Sequence, residues 1–179
     1  AYRFTEGSVY GTVYHVSYQS EVDYAVEIRQ EMERVNQSLS MFNKESVIAR
    51  WNRGESERVD SLFVTMYEKA REVYEATGGG FDITVAPLVN AWGFGFKNEK
   101  LPSDGKIDSL LQYVGMDKVQ LEGMRLVKLV EGVQIDASSI AKGLGVDLVA
   151  EFFDREGVQN YMIEIGGEIR VKGESNKQR

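Results

Sequence analysis

The chain has 179 residues, 42% of them hydrophobic, with a formal net charge of −7, no cysteine and one histidine. Its length fits a single domain (residues 1–179) with its own core, and no apolar run approaches the roughly 20 residues of a membrane-spanning helix. The acidic balance argues against a nucleic-acid partner, while the cysteine and histidine counts exclude thiol chemistry, thiolate metal sites and a histidine-rich metal centre.

The first forty residues predict a strand and an amphipathic helix. Residues 8–18 alternate and are rich in β-branched and aromatic types, which predicts one strand with a bulge or a close backbone approach at Gly11. His15 falls in this strand, where we expect a structural role. From Asp23 to Ser40 apolar residues recur every three or four positions, which predicts a helix with Asp23 as its N-cap.

The middle of the chain predicts a loop with a brief helical turn up to Asn52, then a helix from Ser61 to Ala76 capped by Gly78. Segment 78–95, GGGFDITVAPLVNAWGFG, follows and combines five glycines with many apolar side chains. Neither a linker nor a regular element has this composition, because glycine costs conformational entropy inside helices and strands. We interpret the segment as a loop that a flat ligand approaches closely. Two of its aromatic residues, Trp92 and Phe94, are expected in the core.

The last third predicts a short helix capped by Gly115, a hairpin turning at Glu122–Gly123, and a strand at residues 133–136 that leads into a helix. That helix starts near Ser138 or Ser139 and stops at Gly157, and two final strands are joined at Gly166–Gly167. Strands and helices are interspersed without strict alternation. The fold class is therefore α+β or a mixed-sheet α/β arrangement.

Polar groups beside glycine mark the places where chemistry could occur. Asp136 ends a predicted strand, and the helix after it has free amides that attract phosphate. Lys142 lies in the expected first turn of this helix, where a cation opposes the helix dipole, so anion binding would explain it; a capped helix with an exposed lysine is an equally good interpretation. Asp82 is either a ligand contact or a turn residue that bonds its own backbone. The 28 acidic residues leave a paired-carboxylate hydrolase open, although the sequence marks no pair.

Five blocks, in order, resemble the ApbE family of FAD:protein FMN transferases. They are VYGTVY, VNQSLSMFNKESVIARWN, GGGFDITVAPLVNAWGFG, DASSIAKGLGVD and IEIGGEIRVKG, which together span most of the chain. The resemblance implies an α+β fold with a mixed sheet and flanking helices, of ApbE-like, T-fold-related architecture. It also implies that the chain is the N-terminal part of such a domain and therefore incomplete, since no segment after Gly173 matches the family's second half.

The resemblance also assigns site residues. The residues that would line the FAD site are Tyr10, Phe42, Gly80, Phe81, Asp82, Asp136 and Lys142. Ser139 would occupy the position of a magnesium ligand, and no residue is assigned a catalytic role. Tyr10 stands where the family has methionine, and the remaining metal ligands of the family belong to its second half.

The implied activity is the magnesium-dependent transfer of FMN from FAD to a threonine hydroxyl of a partner protein, with release of AMP. The partner would be a flavin-accepting subunit of a membrane redox complex. The enzyme would face the periplasm at the bacterial inner membrane and be lipid-anchored. Two alternatives stay open: an FAD pyrophosphatase that yields FMN and AMP, and a flavin-binding module without catalysis.

Overall fold

The computed structural model describes residues 1–92 and 101–175. It has six strands, six α-helices and two short 3₁₀ turns within these residues. The strands are β1 (Tyr2–Val9), β2 (Thr12–Gln19), β3 (Val119–Glu122), β4 (Arg125–Lys128), β5 (Tyr161–Ile165) and β6 (Glu168–Lys172). The helices are α1 (Ala25–Leu39), α2 (Val47–Asn52), α3 (Ser61–Ala76), α4 (Ala86–Ala91), α5 (Asp104–Leu111) and α6 (Ser138–Arg155), and the 3₁₀ turns are Ile83–Val85 and Met116–Lys118.

The chain divides into two compact units. Unit 1 comprises Ala1–Ser40 and Ser138–Arg179, and unit 2 comprises Met41–Ala137. Unit 1 contains a four-stranded antiparallel sheet in the order β1-β2-β5-β6, while β3 and β4 of unit 2 form a two-stranded antiparallel sheet. The α+β class with flanking helices is confirmed, and the single domain over residues 1–179 stays a prediction.

The N-terminal strand prediction is wrong in its extent. Residues 2–19 form a hairpin of two strands rather than one bulged strand, and Val9 pairs with Thr12 across a two-residue turn. The turn residues Tyr10 and Gly11 have φ of 52° and 72°. Two successive positive φ angles are typical of the type I′ turn that matches the twist of paired strands. The glycine at position 11 therefore serves a reversal of the chain, not a bulge.

The core of unit 1 lies between one face of its sheet and the helices α1 and α6. Alternate residues of β2 and β5 are buried on this face, as the two-residue period of a strand requires. The buried cluster consists of Tyr14, Val16, Tyr18, Ile28, Met32, Val146, Val149, Ala150, Phe152, Phe153, Val158, Tyr161, Ile163 and Ile165. This core holds the sheet of unit 1 in place against α1 and α6, and several predicted site residues lie at one end of that sheet.

Helix boundaries follow local hydrogen bonding. The predicted helix Ser61–Ala76 is confirmed, and the Asp60 side chain caps it by accepting from the Phe63 N–H. The first helix begins at Ala25, one residue later than an Asp23 cap requires, although Asp23 still accepts a hydrogen bond from the Ala25 N–H at 3.0 Å.

Unit 2 joins its short elements through buried contacts. Ser46 caps α2 by accepting from the Ala49 N–H, and the indole N–H of Trp51 donates to the Leu126 carbonyl at 2.8 Å. The predicted hairpin is confirmed, but its turn is Gly123–Met124 and not Glu122–Gly123, because Glu122 is the last residue of β3 and pairs with Arg125. Helix α5 ends at Leu111, before the expected cap at Gly115.

No helix of the described residues combines the length and the apolar character needed to cross a bilayer.

Candidate functional site

The predicted site residues fall in both units. Unit 1 contains Tyr10, Ser139 and Lys142. Unit 2 contains Phe42, Gly80, Phe81, Asp82 and Asp136.

Two tight turns meet at one end of the unit 1 sheet. The Tyr10–Gly11 turn joins β1 to β2, and the predicted Gly166–Gly167 turn joins β5 to β6 with φ of 54° and 96°. They share an end because Tyr14 pairs with Ile165 and the Gly166 N–H donates to the Val13 carbonyl at 3.1 Å. Helix α6 packs on this end of the sheet.

Lys142 crosses over the Gly166–Gly167 turn. A Cβ added to Gly166 would lie 2.8 Å from Thr12 Cγ2 and 3.1 Å from Lys142 Cδ, so the missing side chain makes room for the lysine stem. Lys142 is the fifth residue of α6, just beyond the first turn expected from the sequence. It is partly buried and forms no ion pair with the other described residues within 4.0 Å. A partly buried cation without a carboxylate partner suits an anionic ligand.

Tyr10 lies at the same end of the unit 1 sheet, where its side chain contacts α1 and α6. Its hydroxyl donates to the Met32 carbonyl at 2.6 Å, and a Cβ on Gly145 of α6 would lie 2.9 Å from the hydroxyl oxygen. Burial, with a smaller contribution from the charge of Glu33, raises the pKa of the Tyr10 phenol well above its ordinary range. The hydroxyl is thus neutral and already bonded, and contact between Tyr10 and FAD stays a prediction.

Glu164 supports the Gly166–Gly167 turn and has no assignment from the sequence. One carboxylate oxygen accepts from the Gly167 N–H at 2.8 Å, and the other lies 2.8 Å from His15 Nδ1. The hydrogen bond with His15, and then the bond from Gly167, lower the pKa of Glu164. His15 also lies 3.5 Å from Glu6, so it joins three strands, in agreement with the structural role expected from the sequence.

Asp82 organises the turn at the start of the glycine-rich block. Its Oδ1 accepts from the backbone N–H of Thr84 at 2.8 Å and from the Thr84 hydroxyl at 2.6 Å. The Thr84 oxygen in turn accepts from the Gly115 N–H at 2.6 Å, and Thr84 is completely buried. Oδ1 of Asp82 thus bonds the backbone two residues further on, as the turn-residue interpretation predicts, while contact between Asp82 and FAD stays a prediction. Thr84 is a member of this network that the sequence does not mark.

Gly80 and Phe81 lie immediately before this turn. The Gly80 N–H donates to the Thr77 carbonyl at 3.1 Å, and the Phe81 N–H donates to the Thr77 hydroxyl at 3.0 Å. The structure thus places Gly80, Phe81 and Asp82 in one bonded segment with the end of helix α3.

The strand predicted at residues 133–136 is wrong. Ile135 pairs with no strand of residues 1–92 and 101–175. Its N–H donates to Asn52 Oδ1 at 2.8 Å, and its carbonyl accepts from Asn52 Nδ2 at 2.9 Å. The Asn52 side chain thus satisfies the two backbone groups that a neighbouring strand would otherwise pair. The next residue, Asp136, donates its N–H to the Ile83 carbonyl at 2.9 Å. This bond brings Asp136 to the residue that follows Asp82.

Three aromatic predictions differ in outcome. Phe42 is 77% exposed, and its contact with FAD stays a prediction. Trp92 is 46% exposed, so its placement in the core is wrong; it follows the last residue of α4, where a side chain leaves the packed face. Phe94, with Gly93 and Gly95, lies outside the described residues.

The predicted magnesium position is only partly supported. Ser139 lies on the exposed face of the first turn of α6. In the part of the chain that the structure describes, no group of three His, Asp or Glu side chains could hold a metal ion. Because magnesium requires about six oxygen ligands, these residues do not by themselves fit a magnesium site.

Comparison with known proteins places these features in a family. The model of the ApbE family matches residues 10–179. This chain belongs to the ApbE family.

Several residues in two of the family blocks have a structural role in this fold. In the block that contains Phe42, Ser46 caps α2, Ile48 is completely buried, and Asn52 holds Ile135. In the ApbE block that contains Lys142, Gly145 is the residue that admits the Tyr10 side chain.

Two curated relatives are named FAD:protein FMN transferase. The protein from Vibrio cholerae is 36% identical over 178 residues, and the match covers 93% of this chain and 53% of the relative. The protein from Haemophilus influenzae is 37% identical over 186 residues, with 94% of this chain and 54% of the relative covered. The chain therefore spans about half the length of the curated relatives it matches.

Solved structures agree with this assignment. The flavin transferase ApbE from Vibrio cholerae has a TM-score of 0.87 at 34% identity, covering 97% of this chain and 60% of that chain. The apo form of the Pseudomonas stutzeri flavinyl transferase ApbE has a TM-score of 0.87 at 30% identity, and the match covers 97% of this chain and 59% of that chain. The fold of this chain is thus that of ApbE flavin transferases.

Proposed function

We propose that this chain is the FAD-binding part of a magnesium-dependent FAD:protein FMN transferase. The observation that carries the proposal is the match to the ApbE family over residues 10–179, together with relatives of 36–37% identity that are named for this activity. In the proposed reaction, a threonine hydroxyl oxygen of the partner protein bonds to the FMN phosphorus of FAD. The bond from that phosphorus to the bridging oxygen breaks, AMP leaves, and the hydroxyl proton passes to solvent.

Unit 1 supports binding of the diphosphate of FAD. An acidic chain with a net charge of −7 repels anions as a whole, so a phosphate ligand needs a local cation. Lys142 meets this need, since its stem is held across Gly166 and no described carboxylate neutralises it within 4.0 Å. We assign Lys142 the role of a phosphate contact. A charge-assisted hydrogen bond of this kind contributes about 1.5–3 kcal/mol.

Unit 2 offers a second set of residues for contact with FAD. Asp82 and Asp136 are both partly buried. The Asp82 carboxylate accepts from the Thr84 N–H at 2.8 Å, and the Asp136 N–H donates to the Ile83 carbonyl at 2.9 Å. Phe42 offers an exposed ring on which a flat ring system could stack, an arrangement that contributes about 1 kcal/mol beyond area burial. We assign these residues, together with Gly80 and Phe81, to FAD binding.

Magnesium is proposed on the resemblance to the family alone. When bound, the ion would neutralise charge on the phosphates, and Ser139 is the residue of this chain assigned to it. The described residues do not complete a set of magnesium ligands.

The partner and the location are also proposals. We propose a flavin-accepting subunit of a membrane redox complex as the acceptor, on the periplasmic side of the bacterial inner membrane, with a lipid anchor on the enzyme. The absence of cysteine is compatible with an oxidising compartment such as the periplasm.

The test is incubation of the full-length protein with FAD, Mg²⁺ and an acceptor domain that bears a threonine. The proposal predicts a gain in acceptor mass equal to one FMN group, with release of AMP, and no gain when that threonine is replaced by valine. Release of AMP without a mass gain would assign the protein as an FAD pyrophosphatase. FAD binding without AMP release would assign it as a flavin-binding module.

A further inference from the structure

Asn52 is the last residue of α2, and its side chain makes an unusual contact. The amide pairs with both backbone groups of one residue, accepting from the Ile135 N–H at 2.8 Å and donating to the Ile135 carbonyl at 2.9 Å. A side-chain amide thus takes the place of a strand partner. Both bonds are partly buried, so breaking one would leave a backbone group poorly solvated.

The contact fixes the segment that carries Asp136. Val133, Ile135 and Ala137 are completely buried, whereas Gln134 and Asp136 between them are only partly buried. This alternation directs Asp136 away from the side on which Ile135 packs. The segment therefore presents Asp136 in one orientation as long as Ile135 is held.

The same segment is bonded to the turn that carries the other candidate carboxylate. The Asp136 N–H donates to the Ile83 carbonyl at 2.9 Å, and Ile83 directly follows Asp82. Asp82 is held from the other side by Thr84. Asn52 is thus connected to Asp82 by a continuous series of links. Hydrogen bonds join Asn52 to Ile135 and Asp136 to Ile83, and peptide bonds join Ile135 to Asp136 and Ile83 to Asp82.

We propose that Asn52 is a positioning residue of the FAD site: it touches no ligand atom and acts by fixing Asp136 relative to Asp82. This inference rests on the proposed function, since it requires both carboxylates to contact FAD. Asn52 is suited to the role because its amide carries one donor and one acceptor, as the backbone of a strand does. Aspartate at this position would keep the acceptor for the Ile135 N–H but place a second acceptor against the Ile135 carbonyl.

The test is a double-mutant cycle on FAD affinity, measured by titration calorimetry with the full-length protein. Asn52→Asp and Asn52→Ala are each expected to weaken FAD binding about tenfold, which corresponds to about 1.4 kcal/mol. Asp136→Asn weakens binding directly. Because Asn52 acts through Asp136, adding Asn52→Asp to Asp136→Asn is expected to change the affinity by less than about twofold further.

The matched control is Trp51→Phe. It removes the buried hydrogen bond to the Leu126 carbonyl, and part of a buried ring, at the neighbouring position of the same helix, while the Asn52 side chain keeps both bonds to Ile135. FAD affinity is expected to stay within about twofold of the unsubstituted protein, although the protein is less stable.

Three results would overturn the inference. They are an Asn52→Asp protein that binds FAD as tightly as the unsubstituted one, full additivity of Asn52→Asp and Asp136→Asn, and an Asn52→Asp protein without folded circular dichroism, which would make Asn52 a residue of the fold alone. Failure of the FAD-binding assignment on which the inference rests looks different, because the unsubstituted protein would then not bind FAD at all, and failure of FMN transfer alone is read separately from acceptor mass and AMP release.

Discussion

The two units hold their candidate site residues in different ways. In unit 1 the arrangement depends on space: glycines at positions 145 and 166 admit the side chains of Tyr10 and Lys142, which a Cβ would displace. In unit 2 it depends on hydrogen bonds: Thr84 and Asn52 fix the segments of Asp82 and Asp136. The arrangement in unit 1 is therefore sensitive to a larger side chain at a glycine position. The arrangement in unit 2 is sensitive to the loss of a hydrogen-bonding side chain.

This difference accounts for Gly145 and Gly166 in unit 1 and for the polar side chains of Thr84 and Asn52 in unit 2. A cation whose stem lies against a turn needs a backbone that can be approached closely, which glycine provides. A carboxylate on a loop has no neighbouring strand to hold it, so side chains must satisfy the loop's backbone groups. Substitutions that change either the size of a side chain or its hydrogen bonds, but not both, can test this comparison of the two units.

The largest expected effect is in unit 1, for Gly166→Ala. The new Cβ would meet Thr12 Cγ2 at 2.8 Å, and φ is +54°, so we expect a loss of about 2–4 kcal/mol in the free energy of unfolding. Gly11→Ala is the matched control: φ is +72° but nothing lies within 4 Å, so only the backbone penalty of about 1–2 kcal/mol applies. Urea unfolding measures both, and equal losses would contradict a role for space at Gly166.

A smaller effect is expected in unit 2, for Thr84→Val. This change keeps the shape of the side chain but removes the hydroxyl that links Asp82 to the Gly115 N–H, and we expect a loss of about 1–3 kcal/mol. Thr65→Val removes a hydroxyl from an exposed position of α3, where the expected change is within about 0.5 kcal/mol. If both variants unfolded at the same urea concentration, the hydrogen bonds of unit 2 would not be the support inferred above.

The smallest effect concerns Tyr10→Phe and depends on pH. At pH 7 the loss of the bond to Met32 is expected to cost about 0.5–1.5 kcal/mol. Because the folded pKa of Tyr10 lies above its ordinary value of about 10, this stabilisation is complete below pH 10 and declines as the pH rises towards the folded pKa. The difference in unfolding free energy between the two proteins should therefore shrink above pH 10. A difference that grows with pH would contradict the buried, neutral phenol.

The sequence predicts much of the fold because its strongest patterns are local. Helix α3 follows from its apolar period and the final hairpin from paired glycines, and both are confirmed. The hairpin of residues 2–19 does not follow from local pattern, because Tyr10 is a non-glycine residue with positive φ. The expected strand at residues 133–136 fails for another reason: its partner is a side chain 83 positions away in the chain.

The candidate site was predictable only in part. Motifs identify Lys142, Asp82 and Asp136 because charged groups beside glycine are visible in the sequence. Thr84 and Glu164 are not marked, since their roles come from contacts formed in the fold. For Asn52 a signal was present in its family block, but its partner at Ile135 could not be inferred without coordinates.

The central claim is that FAD binds here with Lys142 as a phosphate contact, and calorimetric titration of the full-length protein with FAD tests it most directly. The account predicts saturable binding that Lys142→Met weakens about tenfold or more, by loss of a charge-assisted bond. Lys69→Met, at an exposed lysine of α3, should leave the affinity unchanged. Equal affinity for FAD in both variants would contradict the account.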